Sequence, residues 1–306
     1  MIHRFQPNIY HTSFGSHRPV LNIANGDTVI TSTVDNQGRN AFDKQVTTGP
    51  NPLTGPFYVE DAEPGDTLAV YLDKLWPNRC IGRSSTTIAP NVVDPNYVIK
   101  MLTQHPRINA IWKIDLERGI ATLSRPITQL GSIKLPLKPM LGCLGVAPRS
   151  GQVISSVTSS AHGGNMDYKG FVTGITAYFP VFTPGGLLFM GDGHATQGDG
   201  EIVGTGIETS FDLQFTVKLF KGKTINWPRA ENEEYIFTVG NARPLIQALQ
   251  HATTEMIRWI QKDFGLDARA THLLLGQCLE YDVGNVFDPA YTMVCMLKKK
   301  WIPSLR

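Results

Sequence analysis

The sequence predicts a mainly β fold with helices gathered near its C-terminal end. Three observations carry this. Short runs rich in β-branched and aromatic residues recur between turn signals, as at TVITSTV (28–34) after Asn25-Gly26-Asp27. Glycine and proline are frequent, at 29 and 20 of 306 residues, which breaks the chain into short elements. A long amphipathic helical pattern is confined to residues 244–264. The length allows one large core, so the expectation is a single continuous β-rich unit over 1–306. Its sub-regions are an N-terminal β region (1–133), a site-bearing β region (134–240) and C-terminal helices plus a strand (241–306).

In chain order, Thr28–Val34 is an early strand ending at Asp35. The polar stretch 36–56 reads as loop, because GPNPLTGP at 49–56 leaves no room for a regular element. Phe57–Glu60 and Thr67–Leu72 around Glu63-Pro64-Gly65-Asp66 read as a hairpin-like meander, and 76–106 as irregular. Ile108–Ile114 and Ile120–Leu123 flank Glu117-Arg118-Gly119 as a second hairpin. The apolar residues of 134–150 need burial, so this segment is pinned rather than a flexible linker. Phe211–Leu219 alternates without exception and predicts a strand with one wet face. Pro244 opens the long helix and Gly265 ends it; Asp267 caps a shorter one through Leu275, closed by Gly276. Thr292–Leu297 is the last strand. No repeat is visible.

A net charge of +2, with Lys298–Lys300 the only basic run, argues against nucleic acid or anionic membrane as partners. No segment has the length and hydropathy of a signal peptide or membrane span, which predicts a cytoplasmic protein. The four cysteines are far apart, with no CxxC pair, and fit reduced thiols.

Chemistry concentrates between Ser160 and Glu208. Asp167, Asp192, Asp199, Glu201, Glu208, His162 and His194 stand there against one cation, Lys169. Twelve glycines in the stretch suit tight loops that let a ligand approach the backbone. If Gly191–His194 is extended, Asp192 and His194 share a face and offer two metal ligands at i and i+2; Asp199 and Glu201 would do the same in an extended segment. His162 and Asp167 would complete the shell from another loop. Imidazole suits zinc and carboxylates suit harder ions, so a divalent cation is expected, zinc first and calcium second. The competing reading of Asp192-Gly193-His194 is a plain turn. Calcium-binding nonapeptide repeats, EF-hands, GxSxG elbows and phosphate-cradling loops are absent from the sequence. Cys143, between glycines and leucines, reads as a buried packing residue rather than a nucleophile.

Three blocks, NPLTGPFYVEDAEPGDTL (51–68), HGGNMD (162–167) and PVFTPGGLLFMGDGHATQGDGE (180–201), resemble the signature segments of the acetamidase/formamidase family in content, order and spacing. The shorter, acetamidase-like members are the nearer in length. The resemblance implies a β-sandwich or jelly-roll-like core with added helices and an α+β C-terminal part, a homo-oligomer (dimer or tetramer), and hydrolysis of a small aliphatic amide to carboxylate and ammonia. It also implies metal at His162, Asp167, Asp192 and His194, with Glu201 as a further ligand. For metal-assisted hydrolysis the general base is assigned to Glu201 or to Asp35, and oxyanion or substrate donors to Gly163, Gly164 and Asn165. The alternative is a protein of the same fold that binds a metal or small ligand without turnover, or one that hydrolyses another small C–N compound.

Overall fold

The β-branched and aromatic runs pair into two large sheets in the computed structural model, which describes residues 1–104 and 108–302. One sheet has nine strands, in the order Ile2–Arg4, Thr28–Ser32, Phe211–Phe220, Thr67–Pro77, Thr176–Pro180, Arg229–Glu231, Tyr235–Ala242, Tyr291–Lys298 and Glu280–Asn285. The other has eleven. Leu188–His194 lies at its centre, between Met140–Gly145 on one side and Leu53–Val59 and Glu208–Thr209 on the other. Their apolar faces share one core: Val29, Val70 and Phe215 from the first sheet pack with Phe57, Leu144 and Met190 from the second. Phe57 meets Phe215 edge to face at 5.2 Å, and each side chain so buried contributes about 1.5–3 kcal/mol. The layout is the mainly β sandwich with C-terminal helices that the sequence predicts.

Phe211–Phe220 shows the expected alternation, with Phe211, Leu213, Phe215, Val217 and Leu219 buried and Asp212 and Lys218 exposed. The long helix spans Leu245–Phe264, with Gly265 in the left-handed conformation at its end. Ala248, Ala252, Met256 and Ile260 form its buried stripe, packed on the nine-stranded sheet near Ile236 and Leu297. The second helix, Ala268–Cys278, is capped by Asp267 as expected but runs through Gly276. Asn109–Asp115 and Ile120–Arg125 form the expected hairpin, and Met140–Gly145 is a fully buried strand within the segment predicted to be pinned. No described helix is long and apolar enough to cross a membrane.

Four expectations need correction. Leu53–Val59 and Thr67–Pro77 do not pair; they lie in different sheets. Both edges of Thr67–Pro77 are taken by Phe211–Phe220 and Thr176–Pro180, and the Glu63–Asp66 turn instead carries the chain across the sandwich. Leu53–Val59 also begins inside the stretch read as loop, because Gly55-Pro56 fits a bulge opposite Phe189, where a strand tolerates proline. Residues 76–106 hold a strand, Ile81–Ser85, and a helix, Pro95–Gln104; positions 105 and 106 lie outside the described residues. The glycine-rich stretch is not loops alone, since it includes Gly163–Asn165, Thr176–Pro180 and Leu188–His194.

Candidate metal centre

The central strand of the eleven-stranded sheet delivers Asp192 and His194 into the interior. Asp192 is not extended as expected; its φ is 57°. The two side chains converge all the same, with His194 Nε2 3.5 Å from Asp192 Oδ1. Room for them comes from the neighbouring strand, where Gly142 lies between the pairs Leu141–Gly193 and Cys143–Gly191. A Cβ on Gly142 would stand 2.3 Å from Asp167 Oδ1 and 2.7 Å from Asp192 Oδ2, so the absence of a side chain there is what lets the two carboxylates occupy one space. Asp167 follows the short strand Gly163–Asn165, and Glu201 closes the single 3-10 turn Asp199–Glu201. Glu208 pairs directly opposite His194 in the sheet.

Two overlapping ligand groups result, Asp167–His194–Glu201 and Asp192–His194–Glu208, each with donor atoms within 4.8 Å of one another and all five residues buried. Among the described residues, Asp192, Glu201 and Glu208 make their ion pairs with His194 alone. Asp167 Oδ1, Asp192 Oδ1, His194 Nε2 and Glu208 Oε2 are buried without a hydrogen-bond partner. His194 Nε2 is 3.0 Å from Glu208 Oε1, but off the line that a hydrogen bond needs. Burial raises the Asp167 and Glu201 carboxyls well above the carboxylate range, and neighbouring acids add to the effect. Burial likewise holds Glu208 up to about 8. It disfavours a charged His194, yet Glu208 and Asp192 outweigh it and raise the imidazole well above its usual value. Without a cation, this much negative charge is tolerable only by retaining protons. Four orphaned donor atoms spread over two ligand groups that share His194 fit a divalent cation.

A set of uncharged side chains orients the acids. Gln197 Nε2 donates to the carbonyls of Asp167 and Gly284, which turns its Oε1 toward His194 Nδ1 at 2.7 Å. Nδ1 therefore carries the proton, and the Nε2 lone pair of a neutral His194 faces the acids, as in metal-bound histidines. Asn285 Oδ1 accepts from the backbone N–H groups of Phe287 and Asp288, so its Nδ2 faces Asp167 (2.6 Å), Glu201 (3.0 Å) and Asp288 (2.7 Å). Asn51 Nδ2 donates to Asp192 Oδ2 and to Asn165 Oδ1, both at 3.1 Å. Asp288, held at about 6 mainly by burial, and Cys143 border the group. The Cys143 thiol donates to Asn165 Oδ1 at 2.7 Å, and burial with Asp192 nearby raises it well above 9. It is packed as the sequence suggests, but against polar partners.

Several expected site residues stand elsewhere. His162 is buried with its ring 5.0 Å from Phe14, is held down to about 4 by burial, and belongs to neither ligand group. Asp35 is neutralised by Arg79 at 2.6 Å and capped by the N–H groups of Gln37 and Arg39, so it is no free base at this site. Asp199 is exposed and paired with Lys169 while Glu201 turns inward, because the segment is a 3-10 turn and not a strand. Gly163 and Gly164 sit in a strand paired on both edges, which directs their backbone into the sheet rather than into an oxyanion concavity. A Cβ on Gly164 would lie 2.5 Å from Thr158 O; the glycines allow close strand approach. Asn165 does reach the group, through Asn51, Cys143 and Asp288. Glu208, Asn51, Gln197, Asn285 and Asp288 are not assigned from sequence; Glu208 carries a signal as a carboxylate of the glycine-rich stretch, and Asn51 and Gln197 stand in two of the three resembling blocks.

A family profile described as Acetamidase/Formamidase family matches residues 150–289, which contain all five members of the ligand groups. The acetamidase of Mycolicibacterium smegmatis is 35% identical over 150 residues, 46% of this chain and 35% of that protein, so the matched stretch spans about a third of this curated relative. Over whole chains, the crystal structure of the acetamidase from Yersinia enterocolitica superposes with a TM-score of 0.84 at 33% identity, covering 99% of this chain and 94% of that one. A predicted acetamidase/formamidase from Thermoanaerobacter tengcongensis gives a TM-score of 0.84 at 27% identity, covering 99% and 97%. With the fold shared from end to end at that identity, the chain belongs to the acetamidase/formamidase family of amide hydrolases.

Proposed function

We propose that the protein hydrolyses a small aliphatic amide of the formamide or acetamide type to carboxylate and ammonia with a divalent cation held by Asp167, Asp192, His194 and Glu201. The observation that carries this reading is the pair of buried ligand groups that share His194, in which Asp167, Asp192 and His194 each present an unpartnered donor atom, in a fold shared with acetamidases. One imidazole among several carboxylates suits harder cations at least as well as zinc, since His162 stands outside the group. A bound cation supplies Lewis-acid polarisation of the amide carbonyl and lowers the pKa of a water.

The chain's residues do the rest. Gln197 holds His194 in the tautomer that leaves Nε2 free, and Asn285 and Asn51 hold the carboxylates by donating to their outward oxygens. Glu208 takes the place first given to Glu201 or Asp35 as the proton carrier. Its Oε2 is unpartnered and buried in one ligand group with Asp192 and His194, which puts a proton acceptor and donor beside the reacting centre. Glu208 accepts a proton from the attacking water and returns it to the amide nitrogen as the C–N bond breaks, so that ammonia leaves and the oxygen stays with the acid product. Exclusion of bulk water strengthens each of these interactions.

Ammonia release from formamide, acetamide and propionamide, measured with metal analysis of the purified protein, tests the reading. His194→Ala and Asp192→Asn are expected to lower metal content and turnover together while leaving folded protein. Normal turnover with full occupancy in the His194→Ala variant would sink the ligand assignment. Silence of the metal-loaded wild type across the panel would favour a binding protein of the same fold.

A further inference from the structure

The group of acids is buried, so a substrate needs a way in. Glu208 borders a cleft of about 270 Å³ whose walls include Asn36, Gln37, Gln45, Asn109 and Thr205. At roughly 30 Å³ per water, this volume holds several waters, and a three- to five-atom amide replaces only a few of them. Four primary amides, Asn36, Gln37, Gln45 and Asn109, offer paired donors and acceptors that match an amide substrate, while Arg39 and Arg83, which also line the cleft, are engaged by Asp43. A wider groove, about 790 Å³ along Phe5, Tyr10, Phe42 and Lys74, is lined by none of the five acid-group members.

A second, independent feature points to the same place. The loop that begins with Asn36 at the cleft wall ends with Asn51, whose side chain donates to Asp192, and Asn51 N donates to Asn36 O at 2.9 Å. One loop therefore walls the cleft and contacts the acids. It is clasped from outside: Arg83 makes two hydrogen bonds to the Asp43 carboxylate, at 2.7 and 2.8 Å, and Arg39 Nη1 donates to Asp43 O at 2.9 Å. A bidentate arginine fixes direction as well as distance.

We propose that the amide enters through this cleft and that the 36–51 loop, fixed by the Arg83–Asp43 clasp, sets the length of acyl chain that reaches Glu208. This rests on the amide-hydrolase reading above. A neighbouring cleft of about 360 Å³, with Leu135, Val203 and Ile207 in its walls, shares Ser84 and Thr205 with the first and is bordered by Gln197 but by none of the five acid-group members, and it supplies the control.

Steady-state hydrolysis of formamide, acetamide, propionamide and butyramide is compared for the wild type, Asn109→Trp, Val203→Trp and Asp43→Ala, with metal content and melting temperature recorded for each. Asn109 is exposed, so tryptophan there fills the cleft without entering the core. The expected result for Asn109→Trp is a fall in kcat/KM of at least tenfold, steepest for the longest amide, with metal content unchanged. Val203→Trp is expected to stay within twofold. Asp43→Ala is expected to raise KM for acetamide about tenfold with a smaller change in kcat, and to narrow the difference between acetamide and butyramide. An active wild type whose kinetics are unmoved by Asn109→Trp and Asp43→Ala, or are shut down by Val203→Trp, overturns the route and leaves the hydrolase reading standing. A wild type inactive on every amide overturns both.

Discussion

Replacing Gly142 with alanine puts the smallest available obstacle into the centre of the acid group. Gly142 does not have a positive φ, so alanine costs nothing in backbone conformation. Its Cβ, however, would lie 2.3 Å from Asp167 Oδ1, 2.7 Å from Asp192 Oδ2 and 3.1 Å from Asp192 O. To recover ordinary contact, the Asp167 oxygen must withdraw by about 1 Å and the Asp192 oxygen by slightly less. Neither carboxylate is free to do so cheaply, since Asn285 holds the other Asp167 oxygen and Asn51 holds that same Asp192 oxygen.

A displacement of about 1 Å at a reacting centre costs about 100-fold in rate, or about 2.7 kcal/mol of barrier. Overpacking costs a further ~1–3 kcal/mol of stability, which a chain with this much buried surface can absorb. The expected outcome for Gly142→Ala is folded protein by circular dichroism, with kcat/KM for acetamide down about 100-fold and metal content reduced. The adjacent Cys143→Ala variant reports what a conservative packing change on the same strand does by itself. If Gly142→Ala binds a full complement of metal and works within threefold of wild type, the carboxylates do not share the space described for them.

Gln197→Ala removes the acceptor that fixes the His194 tautomer, and a loss of roughly 10–100-fold in metal affinity is expected; equilibrium dialysis against a metal buffer reads it directly. Cys143→Ala should leave turnover within a few fold, because burial and the neighbouring Asp192 keep the thiol protonated and its short hydrogen bond is to the amide oxygen of Asn165. Complete inactivation of that folded variant would argue for a covalent mechanism. Metal-free protein should lose stability as pH rises. Folded Glu208 holds its proton up to about 8 against an ordinary value of 4.5, so between those values the folded state binds more protons than the unfolded state, and each pH unit removes about 1.4 kcal/mol per proton. The raised His194 acts with the same sign above its ordinary value. Thermal melts of chelated and metal-loaded protein from pH 5 to pH 9 test this: the melting temperature of the chelated form should fall over the range and that of the loaded form should not, and a chelated form that gains stability with pH contradicts it.

The acids that carry this chemistry were legible because charge is conspicuous in composition. Asp167, Asp192, His194 and Glu201 sit in a glycine-rich stretch with a single lysine, and they do meet. His162 has the same local signature and does not join them, because its direction is set by packing against Phe14, a residue from the far end of the chain. Asp35 stands apart from the group for a related reason: its counter-charge, Arg79, arrives from a distant turn. Strands with one wet face, such as Phe211–Phe220, are readable from their alternation, whereas of the strand Leu188–His194 only Gly191–His194 is read, and conditionally, as extended, since a strand buried on both faces and broken by glycines has no alternation to read. The orienting residues were the least visible. Asn51, Gln197 and Asn285 carry no charge, and their function depends on which amide end is claimed by partners elsewhere in the fold. In Asn285 the Phe287 and Asp288 N–H groups claim Oδ1, and only then must Nδ2 face three carboxylates. The direction of that amide is a property of the folded loop, so an aspartate at 285 would keep the loop contacts and add a negative charge where the acids need a donor.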